Sequence, residues 1–233
     1  GGETVPQAIG DTTLTWVLQS PQLGTGHALM QVLPHLDRQG TTLVLYGDVP
    51  LTRAETLQKL IAINGEKTLG LLTVELADPS GYGRIVRGAE TGEVSAIVEE
   101  KDATPHQREI RETNTGIMAI PNRYLHEWLH KLENNNVQKE YYLTDIVAMA
   151  VKDGVQVEAV QPDHAWETVG INSKAQLAAL ERIYQNELAI KLLEQGVTLA
   201  DPSRIDIRGQ LVCGRDVEID INCIFEGDVQ LDD

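Results

Sequence analysis

QSPQLGTGHA at residues 19–28 and TTLVLYGDVP at residues 41–50 decide how this chain reads. The first puts a Gly-rich turn at the mouth of a helix-like stretch. The second is an apolar run that Gly47-Asp48 stops. A short, nearly continuous apolar run fits a strand buried on both faces of a parallel sheet. In open α/β sheets ligands bind at the carboxyl ends of the strands, so Asp48 stands where a metal ligand is useful. Gly24-Thr25-Gly26 lets backbone N–H groups approach a flat or anionic group closely. Taken singly, a Gly-Asp after a strand reads as a turn, and a lone Gly-x-Gly is weak.

Outward from this pair, residues 15–162 carry a mixed α/β pattern. Strands are expected over 15–18, 42–46, 69–76, 83–87, 94–99, 115–120 and 155–160, and helices over 26–35, 53–62, 123–132 and 142–152. Strands alternating with helices predict a largely parallel, doubly wound sheet. Residues 173–195 read as one long helix with Ser173 as N-cap and Gly196 past its end. Its expected apolar stripe is Leu177, Leu180, Ile183, Tyr184, Leu188, Ile190 and Leu193. Beyond it, Ile205, Leu211, Val217, Cys223 and Val229 recur every six residues. Ile207, Cys213, Ile219, Phe225 and Leu231 do the same, two residues displaced. Two phased apolar columns of period six predict the hexapeptide repeat of a parallel β-helix, against the alternative of two hairpins.

Composition narrows the partners. Formal net charge is −16, from 35 acidic against 19 basic side chains. That argues against nucleic acid and anionic membrane surfaces. Phosphate substrates would have to be held by backbone N–H groups, a divalent cation and a few placed cations. The two cysteines, Cys213 and Cys223, form no C-x-x-C pair and fall in the apolar columns, which fits a reducing cytoplasmic compartment. No apolar run approaches a membrane span. His126-Glu127-Trp128-Leu129-His130 matches the zinc-protease pattern H-E-x-x-H, but Leu125, Trp128, Leu129 and Leu132 explain that helix as a core-facing one.

In order and spacing, LGTGHA, YGDVPL, GYGRI, VEEKDAT, NTGI and NNNVQKEYYLTDI are specific together. Over nearly the whole chain they resemble the nucleotidyltransferases that make nucleotide sugars. The match is closest to the bacterial bifunctional N-acetylglucosamine-1-phosphate uridyltransferases / glucosamine-1-phosphate acetyltransferases. The resemblance implies a nucleotide-diphospho-sugar transferase fold, Rossmann-like with a mostly parallel sheet, over residues 1–172. A linker helix would follow over 173–196, and the start of a left-handed parallel β-helix over 197–233. It implies that Gln19, Gly24 and Thr25 contact uracil, with Tyr46 and Gly47 in the same nucleotide pocket. Gly83, Glu99, Asn114, Glu140, Tyr142 and Thr144 would serve the sugar, and Asp48 and Asn172 would bind Mg²⁺. Bland readings stand beside these: Asn172 as a turn residue before its helix, Glu99 as one surface acid among many, and Tyr142 and Thr144 as packing or capping residues.

The implied partners are UTP, N-acetylglucosamine 1-phosphate and UDP-N-acetylglucosamine. The implied assembly is a homotrimer through the β-helix, in the cytoplasm. One departure stands out. The Gly-rich loop and Pro-Lys with which the family opens, whose Arg and Lys hold the triphosphate, do not occur in this sequence. The absence of an initiator Met, and an ending after less than two coils of solenoid, fit a fragment. As such it is expected to be inactive or impaired, with the acetyltransferase site lying outside it. Two other readings are a pyrophosphorylase for another nucleotide or sugar, and a non-catalytic sugar-nucleotide-binding scaffold subunit.

Overall fold

The computed structural model describes residues 2–63, 65 and 67–232; the outer limits of the expected domains, positions 1 and 233, lie outside them. Contacts divide the chain into two compact units, Gly1–Thr168 and Val169–Asp233.

In the first unit the helices are α1 (Thr4–Ile9), α2 (Thr25–Val32), α3 (Ala54–Ile63), α4 (Pro105–Arg108), α5 (Asn122–Lys131) and α6 (Asp145–Lys152). The strands are β1 (Thr41–Val44), β2 (Thr68–Glu75), β3 (Arg84–Arg87), β4 (Val94–Val98), β5 (Glu112–Pro121) and β6 (Gln156–Val160). They form one sheet ordered β4-β3-β5-β2-β6, with β1 also on β5. β5 is antiparallel to β1, β2 and β3; β6 is parallel to β2; β4 is antiparallel to β3. Four strands therefore share one direction while β4 and β5 oppose it. The sheet is mostly parallel in strand direction, yet its neighbours mostly pair antiparallel, because the reversed β5 lies in its middle.

Alternation along the strands feeds two cores. Leu69, Leu71, Met118 and Ile120 face α5 and α6, joining Leu125, Trp128, Leu129, Ile146 and Val147. Leu72, Ile117 and Ala119 face the other way, toward Leu60 of α3. A Cβ on Gly70 would lie 3.0 Å from Leu60, so a small residue is what lets α3 approach. Helices on both faces make the sheet doubly wound.

Two expectations need correction. Residues 15–18 join no strand among the described residues, and Leu18 is 73 % exposed; alternation in sequence cannot supply the partner that a strand requires. The run at 42–46 is not buried on both faces. Its strand is β1, paired with β5, and Leu45 is 51 % exposed.

The second unit holds α7 (Lys174–Glu194), β7 (Thr198–Leu199), β8 (Ile205–Cys213), β9 (Glu218–Ile219) and β10 (Cys223–Leu231). β8 and β10 are parallel and in register along nine residues, each residue of β10 beside the one eighteen positions earlier. Eighteen is three hexads, so each apolar column stacks on itself: Cys223 on Ile205, Phe225 on Ile207, Leu231 on Cys213. Ser173 caps α7, its hydroxyl accepting from the Gln176 N–H. The helix packs with the coil through Ala189 and Leu192, against Val197, Ile205, Ile207 and Ile219. The expected stripe holds only in part: Leu180 is buried and Leu188 packs against this core. Leu177, Tyr184, Ile190 and Leu193 are exposed, whereas Gln185 is buried. Gln185 donates to the Ile207 carbonyl (2.9 Å) and accepts from the Ile207 N–H (2.8 Å), so a polar residue binds the coil's backbone where an apolar one could only pack.

Candidate functional site

The loop before α2 is shaped by glycine. Gly24 has φ +102°, and a Cβ there would sit 2.7 Å from the Tyr141 carbonyl and 2.9 Å from Glu140 Cβ. That close approach docks the loop onto residues 140–143. The Gly26 N–H donates to the Tyr141 carbonyl (2.8 Å), the Tyr141 N–H to the Leu23 carbonyl (2.8 Å), and the Leu143 N–H to Thr25 Oγ1 (3.1 Å). Gln19 closes the loop by donating Nε2 to the Gly24 carbonyl (2.9 Å), with His27 Nδ1 beside it at 3.1 Å. Its amide nitrogen is thereby engaged, and the oxygen remains as an acceptor. His27 stacks on Tyr141 with ring centroids 6.2 Å apart. The sequence alone did not single out His27; its place directly after Gly24-Thr25-Gly26 was the available signal.

Past β1, Tyr46 lies on Gly116. Gly116 has φ +85°, and any Cβ there would collide with the phenol ring. The Val49 N–H donates to the Tyr46 carbonyl (3.2 Å), closing the turn that presents Gly47 and Asp48. Burial first, then the charges of Glu99 and Asp48, hold the Tyr46 phenol above its ordinary range. Asp48 is exposed, and its carboxylate makes no hydrogen bond among the described residues.

The expected sugar residues gather in the same unit. The Asn114 N–H donates to the Gly83 carbonyl (2.8 Å), and Asn114 Oδ1 accepts from the Gly116 N–H (3.0 Å). A Cβ on Gly83 would lie 3.4 Å from the Glu99 carboxylate. Glu99 accepts from Thr144 Oγ1 (2.8 Å). Burial raises the Glu99 pKa, the Thr144 hydrogen bond opposes that rise, and Asp102 adds to it. Tyr142 takes part through its ring, while its hydroxyl accepts from Gln138 Nε2 (3.0 Å). Glu140 contributes backbone, its carbonyl and N–H both bonded to the Asn136 amide.

Beside Glu99 and Tyr142 opens a cavity of about 360 Å³, also lined by Asp102, Glu133, Asn136 and Asp145. Burial, then the charges of Glu99 and Asp102, raise the Asp145 pKa. Asp102 stands three residues after Glu99 in the VEEKDAT stretch, whereas Glu133 and Asp145 are far from Glu99 in sequence and only the fold makes them its neighbours.

Gln19, Gly24 and Glu140 are thus linked by a hydrogen bond and close approach, and Thr25 is bonded to Leu143, which lies between Tyr142 and Thr144 in the chain. Gly83, Asn114, Glu99 and Thr144 form a second group, which Tyr46 adjoins through Gly116. Asn172 belongs to the second unit. There its backbone N–H donates to Gln176 Oε1 (2.7 Å), and its exposed side chain makes no hydrogen bond among the described residues. In the H-E-x-x-H stretch Trp128 and Leu129 are fully buried, Glu127 pairs with Lys131 (2.6 Å), and His130 Nδ1 lies 2.6 Å from the His126 carbonyl. Glu127 is thus committed to its own helix.

Residues 4–185 match the nucleotidyl transferase family. Over all 233 residues the chain is 75 % identical to a bifunctional protein GlmU of Nitrosospira multiformis, and it covers 51 % of that protein. It is 62 % identical, also over its whole length, to a bifunctional protein GlmU of Janthinobacterium, again covering 51 %. The chain therefore spans about half the length of the curated relatives it matches. Among solved structures, a UDP-glucose pyrophosphorylase complexed with UDP-glucose has TM-score 0.51 and 19 % identity, covering 68 % of this chain and 63 % of that one. That likeness supports the fold alone.

Proposed function

Because this chain belongs to the nucleotidyl transferase family, we propose that it carries the uridyltransferase site of an enzyme making UDP-N-acetylglucosamine and pyrophosphate from UTP and N-acetylglucosamine 1-phosphate. One observation carries the reading: the Gln19–Thr25 loop is bonded to residues 141–143, and Thr144 just beyond them holds Glu99. A base-reading turn and a sugar-reading carboxylate thus share one support.

The residues divide the work. Gln19 offers an acceptor oxygen beside the close-packed Gly24 backbone, which suits the imide edge of uracil. Glu99 and Asn114 accept from sugar hydroxyls and amide, where a fixed, partly buried acceptor penalises a ligand that lacks the donor. Asp48 and Asn172 supply hard oxygen donors with no competing hydrogen bonds among the described residues, the donor type that Mg²⁺ takes. When bound, Mg²⁺ neutralises phosphate charge, which a chain of net charge −16 otherwise repels. The sugar-phosphate oxygen attacks the α-phosphorus of UTP, a new P–O bond forms, and the bond to the β-phosphate bridge breaks, releasing pyrophosphate. Such a displacement needs positioning and charge stabilisation, with no covalent nucleophile from the protein.

We place this activity in the cytoplasm and assign the parallel coil of the second unit to a left-handed β-helix through which native chains trimerise. The test is pyrophosphate release by the full native chain from UTP and N-acetylglucosamine 1-phosphate. Turnover abolished by chelator and restored by Mg²⁺ is expected. A folded, full-length protein that binds the sugar nucleotide without turnover in Mg²⁺ would overturn the proposal and favour a scaffold role.

A further inference from the structure

Glu167 is fully buried, yet it carries an ionisable carboxyl group. Burying a carboxylate without partners costs several kcal/mol, so its partners indicate what it is for. One oxygen accepts from Thr56 Oγ1 and the Arg53 N–H (3.4 Å), the other from the His164 N–H (3.1 Å). Its backbone carbonyl accepts from Thr52 Oγ1 (2.9 Å). Arg53 directly precedes α3, so the carboxylate caps an end that needs acceptors and favours negative charge. Next to it, the Arg53 guanidinium lies 4.8 Å from the centre of the Trp166 ring, which stacks on His164. A carboxylate offers an acceptor oxygen at each end to donors from two chain segments, where an amide presents a donor at one end and an apolar side chain presents neither.

The segment held this way is the one that follows Asp48. Upstream of Asp48, Tyr46 is locked over Gly116 and the Tyr46–Val49 turn is closed. Downstream, Thr52, Arg53 and Thr56 are held by Glu167. Asp48 itself has no side-chain hydrogen bond among the described residues, so its place depends on these two anchors. We propose that Glu167 is a positioning residue that holds the Asp48 loop in the geometry required for a divalent cation. The inference rests on the proposed role of Asp48.

The test uses the full native chain and compares Glu167→Gln with the parent. Mn²⁺ binding is followed by electron paramagnetic resonance in the presence of UDP-N-acetylglucosamine. Thermal melting, the Mg²⁺ concentration for half-maximal turnover and the KM for the sugar phosphate complete the set. The amide turns a donor toward one of its former donors, so cation binding should weaken about tenfold, as when other outer partners of metal ligands are changed. The sugar-phosphate KM should move less than twofold. Thr56→Val should reproduce the effect and Thr56→Ser should not, which decides the matter should Glu167→Gln fail to fold. Unchanged Mn²⁺ binding in folded Glu167→Gln or Thr56→Val overturns the proposal. So does a sugar KM that rises as much as the cation requirement, the mark of general loosening. A parent that lacks Mg²⁺-dependent turnover refutes the function instead.

Discussion

Thr144 shows how a single side chain can lie near the proposed sugar site and yet serve another residue. Thr144 is 7 % exposed, and its hydroxyl donates to Glu99, so its first effect is on the direction of that carboxylate. Thr144→Val should raise the KM for the sugar phosphate about tenfold while leaving uridine nucleotide affinity within twofold, and Thr144→Ser should restore it. Steady-state kinetics paired with UDP titration check this; an equal loss on both sides would mean that Thr144 only supports the fold. Asp145, one residue on, gives a pH prediction. Its folded pKa is raised by burial and by the charges of Glu99 and Asp102. The folded state therefore holds the proton more tightly than the unfolded chain, whose carboxyl titrates near ~3.9. The associated stability is present below that value and is lost as pH rises through the folded pKa. Asp145→Asn should gain stability relative to the parent as pH goes from about 4 to about 7, by less than about 1 kcal/mol because the group is only partly buried. Melting at the two pH values checks it, and a constant difference would refute it.

At the scale of elements, α7 depends on one polar side chain. Gln185→Ala leaves the buried Ile207 N–H and carbonyl without their partner. With about 1–3 kcal/mol for each of the two unsatisfied buried groups, the loss should be about 2–6 kcal/mol, read as a lower urea midpoint at unchanged m-value. A loss below about 1 kcal/mol would mean that water replaces the amide. Much of this element was legible beforehand: the Ser173 cap, the helix and the hexad columns are local or strictly periodic signals. Its buried face was not, because apolar residues lie on all sides of α7 and only the coil decides which side is covered. The strand expected at 42–46 is present as β1, but its burial on both faces failed for a related reason. Four apolar residues state that burial is available, not which edge is paired. The site divides the same way. Gly24, Gly47 and Asp48 stand in motifs, and the structure bonds the Gly-rich loop to residues 141–143. Glu167 and Asp145 become informative only when residues far apart in sequence meet.

At the scale of the whole molecule, the two units have separate apolar cores. Leu69, Ile120, Trp128 and Ile146 belong to one in the first unit, and Ala189, Val197, Ile205 and Ile219 to one in the second. Separate cores break the condition for all-or-none unfolding, since each unit can lose its packing while the other keeps its own. Calorimetry of the chain should therefore resolve two transitions. The variants above assign them, because each acts within one unit. Gln185→Ala should lower one transition by about 10 °C or more, the shift that ~2–6 kcal/mol produces in a domain of fewer than about 100 residues. Asp145→Asn should change the pH dependence of the other and leave the first alone. Mg²⁺ with UDP-N-acetylglucosamine adds a third criterion, since a ligand raises the melting of whatever it binds by mass action. With Asp48 as a ligand of the cation, Mg²⁺ and the sugar nucleotide should raise the Asp145-sensitive transition. No increase in that transition would remove Asp48 from the metal site. A single transition that both variants shift together would refute the independence of the cores.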